Sequence, residues 1–505
     1  MDTRGTLRAA GAVLLLSVPG ALRAQASAYV PLDDPRLPLL EHLIARGAID
    51  DPSPFVRPFR RADAVRVLSA ADTTGETPTG RLIHRLAGEF TDRTDETRYR
   101  IEGQGGFQAF SHARRDPLHP AGPGSAWPYA DLGLEAAFGP VLLESRPALE
   151  TRLLDDPDWL GRKDLKLTGR FVEGYLSAQW KWARLFYGEM DREWGPPGVW
   201  GIPLSSYGYP RSEFGLEVGT DKLRLSAQAS QLRDERDSSG QVIHRYFFAH
   251  RLDFRPSRRL ALAIWETSIL AGADQNFDGR YRNPVTLLLL ANEYGLGDNG
   301  NVLVGADLRW RAFRRVTFEG QLAIDDIQYQ NTSGPNRYPN RYAFTLGAFG
   351  PIGGRASWHG FYTQASSLAF RTMNPSQNFI DGTVGLGRNY SANDQLTLLG
   401  SVPVRSAWLV SPEVTLLRQG EGSLTDAAPP RGPIAAALPS VLPGVVERTW
   451  RAAVGVSGRQ GIVRLAANAG FHHIVNEGHQ AGRTANRFEG RLTATLGFHL
   501  EGAIR

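Results

Sequence analysis

Between residues 191 and 211 the chain gathers side chains suited to one kind of recognition. Arg192, Glu193 and Trp194 lead into the turn Gly195-Pro196-Pro197-Gly198, and Tyr207, Tyr209 and Arg211 follow it. Sugars are held by aromatic faces that cover their C–H surfaces, beside planar groups that exchange hydrogen bonds with their hydroxyls. A guanidinium also meets the carboxylate of an acidic sugar through two parallel bonds. Pro196, Pro197 and Pro203 stiffen the backbone that would present these groups, because each ring locks its own φ. The same residues support a plainer reading, in which Trp194 and its prolines fold the loop into an enclosed space and plug it.

Such a loop has to be carried by something, and the flanking sequence says what. From about Tyr99 onward the side chains change polarity with a period of two, the signature of strands whose faces meet different surroundings. In residues 487–496, Arg487, Glu489, Arg491, Thr493 and Thr495 share one face and Phe488, Gly490, Leu492, Ala494 and Leu496 the other. The same code runs through residues 172–181, 222–230, 301–311, 316–325 and 463–472. Short turns such as Gly219-Thr220-Asp221 alternate with long polar connections such as residues 326–341 and 419–445. This asymmetry predicts an all-β, antiparallel transmembrane barrel. At roughly 20–25 residues per strand with its connection, about 16–18 strands fit.

A soluble propeller should show blade repeats of about 40–50 residues, and none is found. Packed sandwiches would bury their apolar face behind large side chains. Here Ala, Gly and Leu fill many such positions, with Trp and Tyr near strand ends. The last residues, Glu501 to Arg505, run past Phe498 rather than finishing on an aromatic, which is less usual for such chains.

Composition agrees. Arg4 and Arg8, the short apolar run 9–22 and Ala24-Gln25-Ala26 read as a secretory leader cleaved before Ser27. The apolar run falls short of the ~18–20 residues a spanning helix requires. The 505 residues contain no cysteine, so disulfides and thiolate metal sites are excluded. Formal net charge is +5, of which the leader carries +2, and the basic residues are dispersed, so a nucleic-acid partner is not expected. The expected organisation is therefore leader 1–26, helical segment 27–95 and barrel 96–505.

The helical segment has its own signals. Asp34 is the predicted N-cap with Pro35 at the first helical position, Leu37, Leu40, Leu43 and Ile44 form a stripe, and Gly47 ends the helix. Further helices are predicted over 61–71 and 79–91. About 65 residues in three helices make a marginal independent domain, so they are expected to dock at the periplasmic end of the barrel. Residues 29–33, Gly47-Ala48-Ile49 and Arg60-Arg61-Ala62-Asp63 also resemble an S-layer-homology repeat, which implies peptidoglycan as a further partner.

A second resemblance covers most of the mature chain. Trp194-Gly195-Pro196-Pro197-Gly198, the polar loop through Ser205-Ser206-Tyr207 to Pro210, and the strand Phe214-Gly215-Leu216-Glu217 resemble the capsule assembly Wzi family of outer-membrane barrels. The helical lead-in, Asp298-Asn299, Gly305-Ala306-Asp307-Leu308-Arg309 and Ile324-Asp325-Asp326 follow in the same order. Glu193 stands where that family often has a second tryptophan, and Ser205-Ser206-Tyr207 where an Asn-Ala-Arg run is usual. The resemblance implies a lectin-like, non-enzymatic barrel that anchors or organises capsular or extracellular polysaccharide, plugged by its helices.

No nucleophile elbow, zinc-protease motif or phosphate loop occurs, and no cofactor is expected. Asp325 with Asp326, and His472 with His473, are adjacent in strands and therefore diverge, which disfavours both a carboxylate pair and a metal site. The alternative function is a passive-diffusion porin for small solutes, which would share all the barrel evidence.

Overall fold

The computed structural model describes residues 26–71, 77–90, 97–111, 118, 124–165, 167–276, 278–293, 300–328 and 333–504. Residues 1–25 of the leader and Asp298-Asn299 lie outside the described residues. Eighteen long strands, each antiparallel to its neighbours, form one sheet that closes where Arg98–Phe110 pairs with Thr484–Ala503. Gly103 faces Phe498 across that seam. The two-residue strand Glu235–Arg236 only extends the sheet at its rim, against Val242–Ser257. Closure leaves the wall without an edge, which a membrane-spanning sheet requires. No described helix is long and apolar enough to cross a membrane.

Polarity is inverted relative to a soluble protein. On Val316–Asp326, Thr317, Glu319 and Gln321 are buried while Phe318 and Leu322 are exposed. Arg251 and Asp307 form a fully buried ion pair at 2.7 Å, whereas Leu346, Leu398 and Phe498 face outward uncovered. Water-facing side chains line the interior and lipid-facing ones the exterior, as the period-two code requires. At one end every connection is two or three residues long, from Phe138 to Val141 and Gln179 to Ala183 round to Gln460 to Val463. The other end carries the long loops. In outer-membrane barrels the short-turn end is periplasmic; this protein sits in the cell outer membrane.

Three helices precede the wall: α1 (Leu37–Ala45), α2 (Arg61–Ser69) and α3 (Pro78–Glu89). Asp34 does not cap α1 as expected. Arg36 occupies the N-cap position without a side-chain bond, and Asp34 instead accepts from the Arg36 amide (2.8 Å) and guanidinium. Gly47 does end the helix, at φ +67°, with Gly47 N–H donating to Ile44 O and Ala48 N–H to Leu43 O. Thr77 caps α3 by accepting from the Gly80 amide.

The segment packs against the inside of the wall at the short-turn end. Arg146 donates to Asp33 (2.6 Å), Arg61 to Glu135 (2.7 Å), and His42 Nδ1 lies 2.8 Å from Ser357 Oγ. Asp51 is held between Arg57 (2.9 Å) and Arg309. Burial would raise its carboxyl, but the two guanidinium groups bring it well below the usual range. Tyr29 and Val30, in the S-layer-like stretch, are buried here.

Candidate functional site at the outer mouth

The predicted binding loop starts from the outer end of Ala183–Glu189 but does not stay there. It descends the lumen until Glu193–Trp194 forms a two-residue antiparallel ladder with Val56–Arg57 of the helical segment. Gly195 N–H donates to Phe55 O at 2.8 Å and Trp194 N–H to Leu204 O at 2.9 Å. From the wall, Gln321 donates through Nε2 to Trp194 O (2.9 Å) and accepts the Ile202 amide at Oε1 (2.8 Å). Trp194 is 1% exposed, with the Arg251 guanidinium 5.5 Å from its ring centre. Gly387 lets this loop approach the next, since a Cβ there would lie 1.9 Å from Ile202 O.

Four of the six predicted contact residues are thereby interior. Arg192 is paired with Glu213 and lies 4.5 Å over Phe186. Glu193 accepts from the Gly201 amide (3.0 Å), the Ser206 amide (2.8 Å) and the Ser206 hydroxyl (2.6 Å). Burial pushes the Glu193 carboxyl up to about 7 against the pull of those donors. Trp194 is a pillar between loop and plug. Tyr207 is buried edge-on to Trp200, 5.5 Å between centres. Pro196, Pro197 and Gly198 line a cavity of about 580 Å³ with Trp200, Ser206 and Arg388.

Tyr209 and Arg211 are placed differently, half-buried among the outer loops. The Tyr209 hydroxyl donates to Asp156 Oδ2 (2.6 Å) and accepts from Arg152 (3.1 Å). Trp159 meets its ring edge-on at 5.0 Å, and the Arg170 guanidinium lies 5.3 Å from its centre. Arg152 also covers Phe110 at 5.6 Å and donates to Gln108 (2.8 Å). Glu150 neutralises Arg152 (3.0 Å) and Arg170 (3.2 Å) from below. Burial holds the Tyr209 phenol protonated well above its ordinary range. Arg211 reaches Leu386 O at 3.5 Å.

The result is a patch of aromatic rings, guanidinium forks and carboxylates at the outer mouth. A cavity of about 300 Å³, lined by Gln108, Glu150 and Arg170 above and by Asp33 and Arg36 below, runs beneath it. Among the described residues no group of three metal-ligating side chains converges. Arg152, Trp159 and Arg170 were not singled out from the sequence, because about 40–60 residues separate them from Tyr209. The acidic-aromatic turn Asp155-Asp156-Pro157-Asp158-Trp159 was the signal available.

No protein-family model matches the chain, and no curated protein matches it in sequence. Among solved structures it is similar to Wzi of Escherichia coli, an outer membrane protein involved in group 1 capsule assembly and a carbohydrate-binding β-barrel. That similarity covers 95% of this chain and 100% of that one at 15% identity, with a TM-score of 0.63. OprD of Pseudomonas aeruginosa matches over 81% of this chain and 95% of that one, at 9% identity and a TM-score of 0.43. OccD3 of the same organism matches over 80% and 92%, at 8% identity and 0.46. The fold of this chain is thus the outer-membrane barrel fold that Wzi has, with helices before the first strand.

Proposed function

We propose that this barrel is a non-enzymatic, lectin-like anchor that holds capsular or extracellular polysaccharide at the outer surface. The observation that carries the reading is the partly buried patch of Tyr209, Trp159, Arg152 and Arg170 above a lumen crossed by the Trp194 loop and by the helical segment. Aromatic rings edged by charged forks suit sugars, and guanidinium groups suit acidic ones. The Wzi likeness supports the same reading through fold. Glycan contact is assigned to Tyr209 and Arg211 with their new neighbours, while Arg192, Glu193, Trp194 and Tyr207 set the loop that presents them.

Deleting the gene and staining for cell-attached against released polysaccharide tests this reading. Release of glycan on deletion, reproduced by Tyr209→Ala with Trp159→Ala, is the expected result. Unchanged attachment, together with stepwise conductance of the purified protein in planar bilayers, would replace this reading with the porin.

A further inference from the structure

The short-turn end of the barrel is electrically one-sided. Four consecutive periplasmic turns carry Arg258 and Arg259, Arg314 and Arg315, Arg355, and Arg405, all exposed. No acidic residue occurs within 255–260, 311–316, 352–356 or 402–408. Asp50 reaches Arg258 at 3.3 Å, and among the described residues none of the other five has an ion-pair partner. These turns are neighbours in space: the Arg311 amide donates to Arg259 O at 2.8 Å, and Gly350 packs directly on the Arg315 backbone. The remaining turns are unlike them. Gly139-Pro140 and Gly461-Ile462 are neutral, Thr220-Asp221-Lys222 carries both signs, and Lys181 lies over Trp182.

Depth distinguishes the possible partners. Phe313 immediately precedes Arg314 and is 64% exposed on the lipid side, Ile352 lies three residues before Arg355, and Val404 adjoins Arg405. A strand advances about 3.3 Å per residue, so the guanidinium groups begin within a residue or two of the hydrocarbon boundary. Long basic side chains at that depth keep their stems on apolar surface and place their heads among phosphates. A phosphate offers the paired oxygens that a guanidinium fork matches.

We propose that this arginine sector binds the phosphate headgroups of anionic phospholipid in the inner, periplasmic leaflet of the outer membrane. Adjacent arginines on adjoining turns present several forks to one or two headgroups, so an anionic lipid is favoured over a zwitterionic one. The lipid would collect on that side of the barrel only, above the face where α1 packs.

The test uses the full-length barrel, purified in mild detergent, with retained lipid counted by native mass spectrometry. Phosphatidylglycerol and phosphatidylcholine are added separately. Wild-type protein should retain phosphatidylglycerol preferentially. R258Q/R259Q/R314Q/R315Q should lose it by at least about tenfold, since each arginine near an anionic surface contributes roughly fivefold. K181Q, two turns outside the sector, should retain it. Heat-modifiable electrophoretic mobility shows that each variant is a folded barrel. Equal retention of both lipids by wild type, undiminished phosphatidylglycerol on the quadruple variant, or equal loss from the lysine variant would each overturn the proposal. So would loss of an acidic periplasmic protein from the quadruple variant while its lipid stays bound.

Discussion

Trp194 and Val56 lie opposite each other in a two-residue antiparallel ladder, although one belongs to an outer-surface loop and the other to the periplasmic helical segment. The two plugging elements are thus one hydrogen-bonded unit inside the lumen. Gln321 ties that unit to the wall through both ends of its amide.

Disrupting this unit should unblock the barrel. Trp194→Ala removes the pillar between Arg251, Phe55 and Ile202, and buried Trp→Ala changes cost about 3–5 kcal/mol. The wild type is expected to be electrically silent in planar bilayers and the variant to conduct. Unchanged silence, with the loop still resistant to protease, would show that Trp194 does not hold the closure.

A smaller change reaches the same junction from the other side. Gly387→Ala sets a Cβ 1.9 Å from Ile202 O, and backbone on both sides leaves little room to yield. Overpacking of this kind costs about 1–3 kcal/mol. The expected outcome is faster proteolytic cleavage within residues 195–206, with unfolding of the barrel itself unaltered.

Asp51 holds the helical segment to the wall between two guanidinium groups. Asp51→Ala removes the carboxylate that Arg57 and Arg309 share and leaves Glu41 and Glu319 as their remaining partners, so the cost should fall below the roughly 3–5 kcal/mol of a buried charge left unpaired. Hydrogen exchange should report α1 opening at lower denaturant than the strands. Acid should act in the same direction. Asp34 is brought down to about 2 by Arg36 despite its burial. Its contribution is present above its ordinary value and is lost as the pH falls toward 2.

Glu193 predicts the opposite sign. Its folded value is raised from the ordinary 4.5 to about 7, so between these limits the docked loop holds a proton that the undocked loop releases. Docking therefore weakens as pH rises from about 4.5 to 7 and is level beyond. Hydrogen exchange at the Gly201 and Ser206 amides should follow that profile, and Glu193→Gln should flatten it. Protection that instead rises with pH would refute the assignment.

Tyr209 and Trp159 should matter to glycan and hardly to folding. Aromatic contacts contribute about 0.5–1.5 kcal/mol beyond area, so each alanine variant should weaken polysaccharide binding roughly two- to tenfold. The readout is binding of isolated surface glycan, with thermal unfolding as the control.

The period-two pattern determined the wall by itself, because lipid outside and water inside impose opposite demands on alternate residues. Strand existence, the short and long ends, the three helices and the Asp325-Asp326 strand end follow from local sequence. The closed count of eighteen does not, since it depends on which strand meets the first. Asp34 illustrates a local signal overruled: its carboxylate is taken by the guanidinium and amide of Arg36, ahead of the helix, rather than by an amide of the first helical turn. The loop shows the larger limit. Arg192 to Trp194, with Tyr207, and Tyr209 with Arg211 are close in sequence and chemically alike, yet the first group is buried and the second reaches the mouth. Only the tertiary structure decided this, because their burial depends on partners far along the chain, Gln321, Glu213 and Val56 inside and Arg152, Trp159 and Arg170 at the rim.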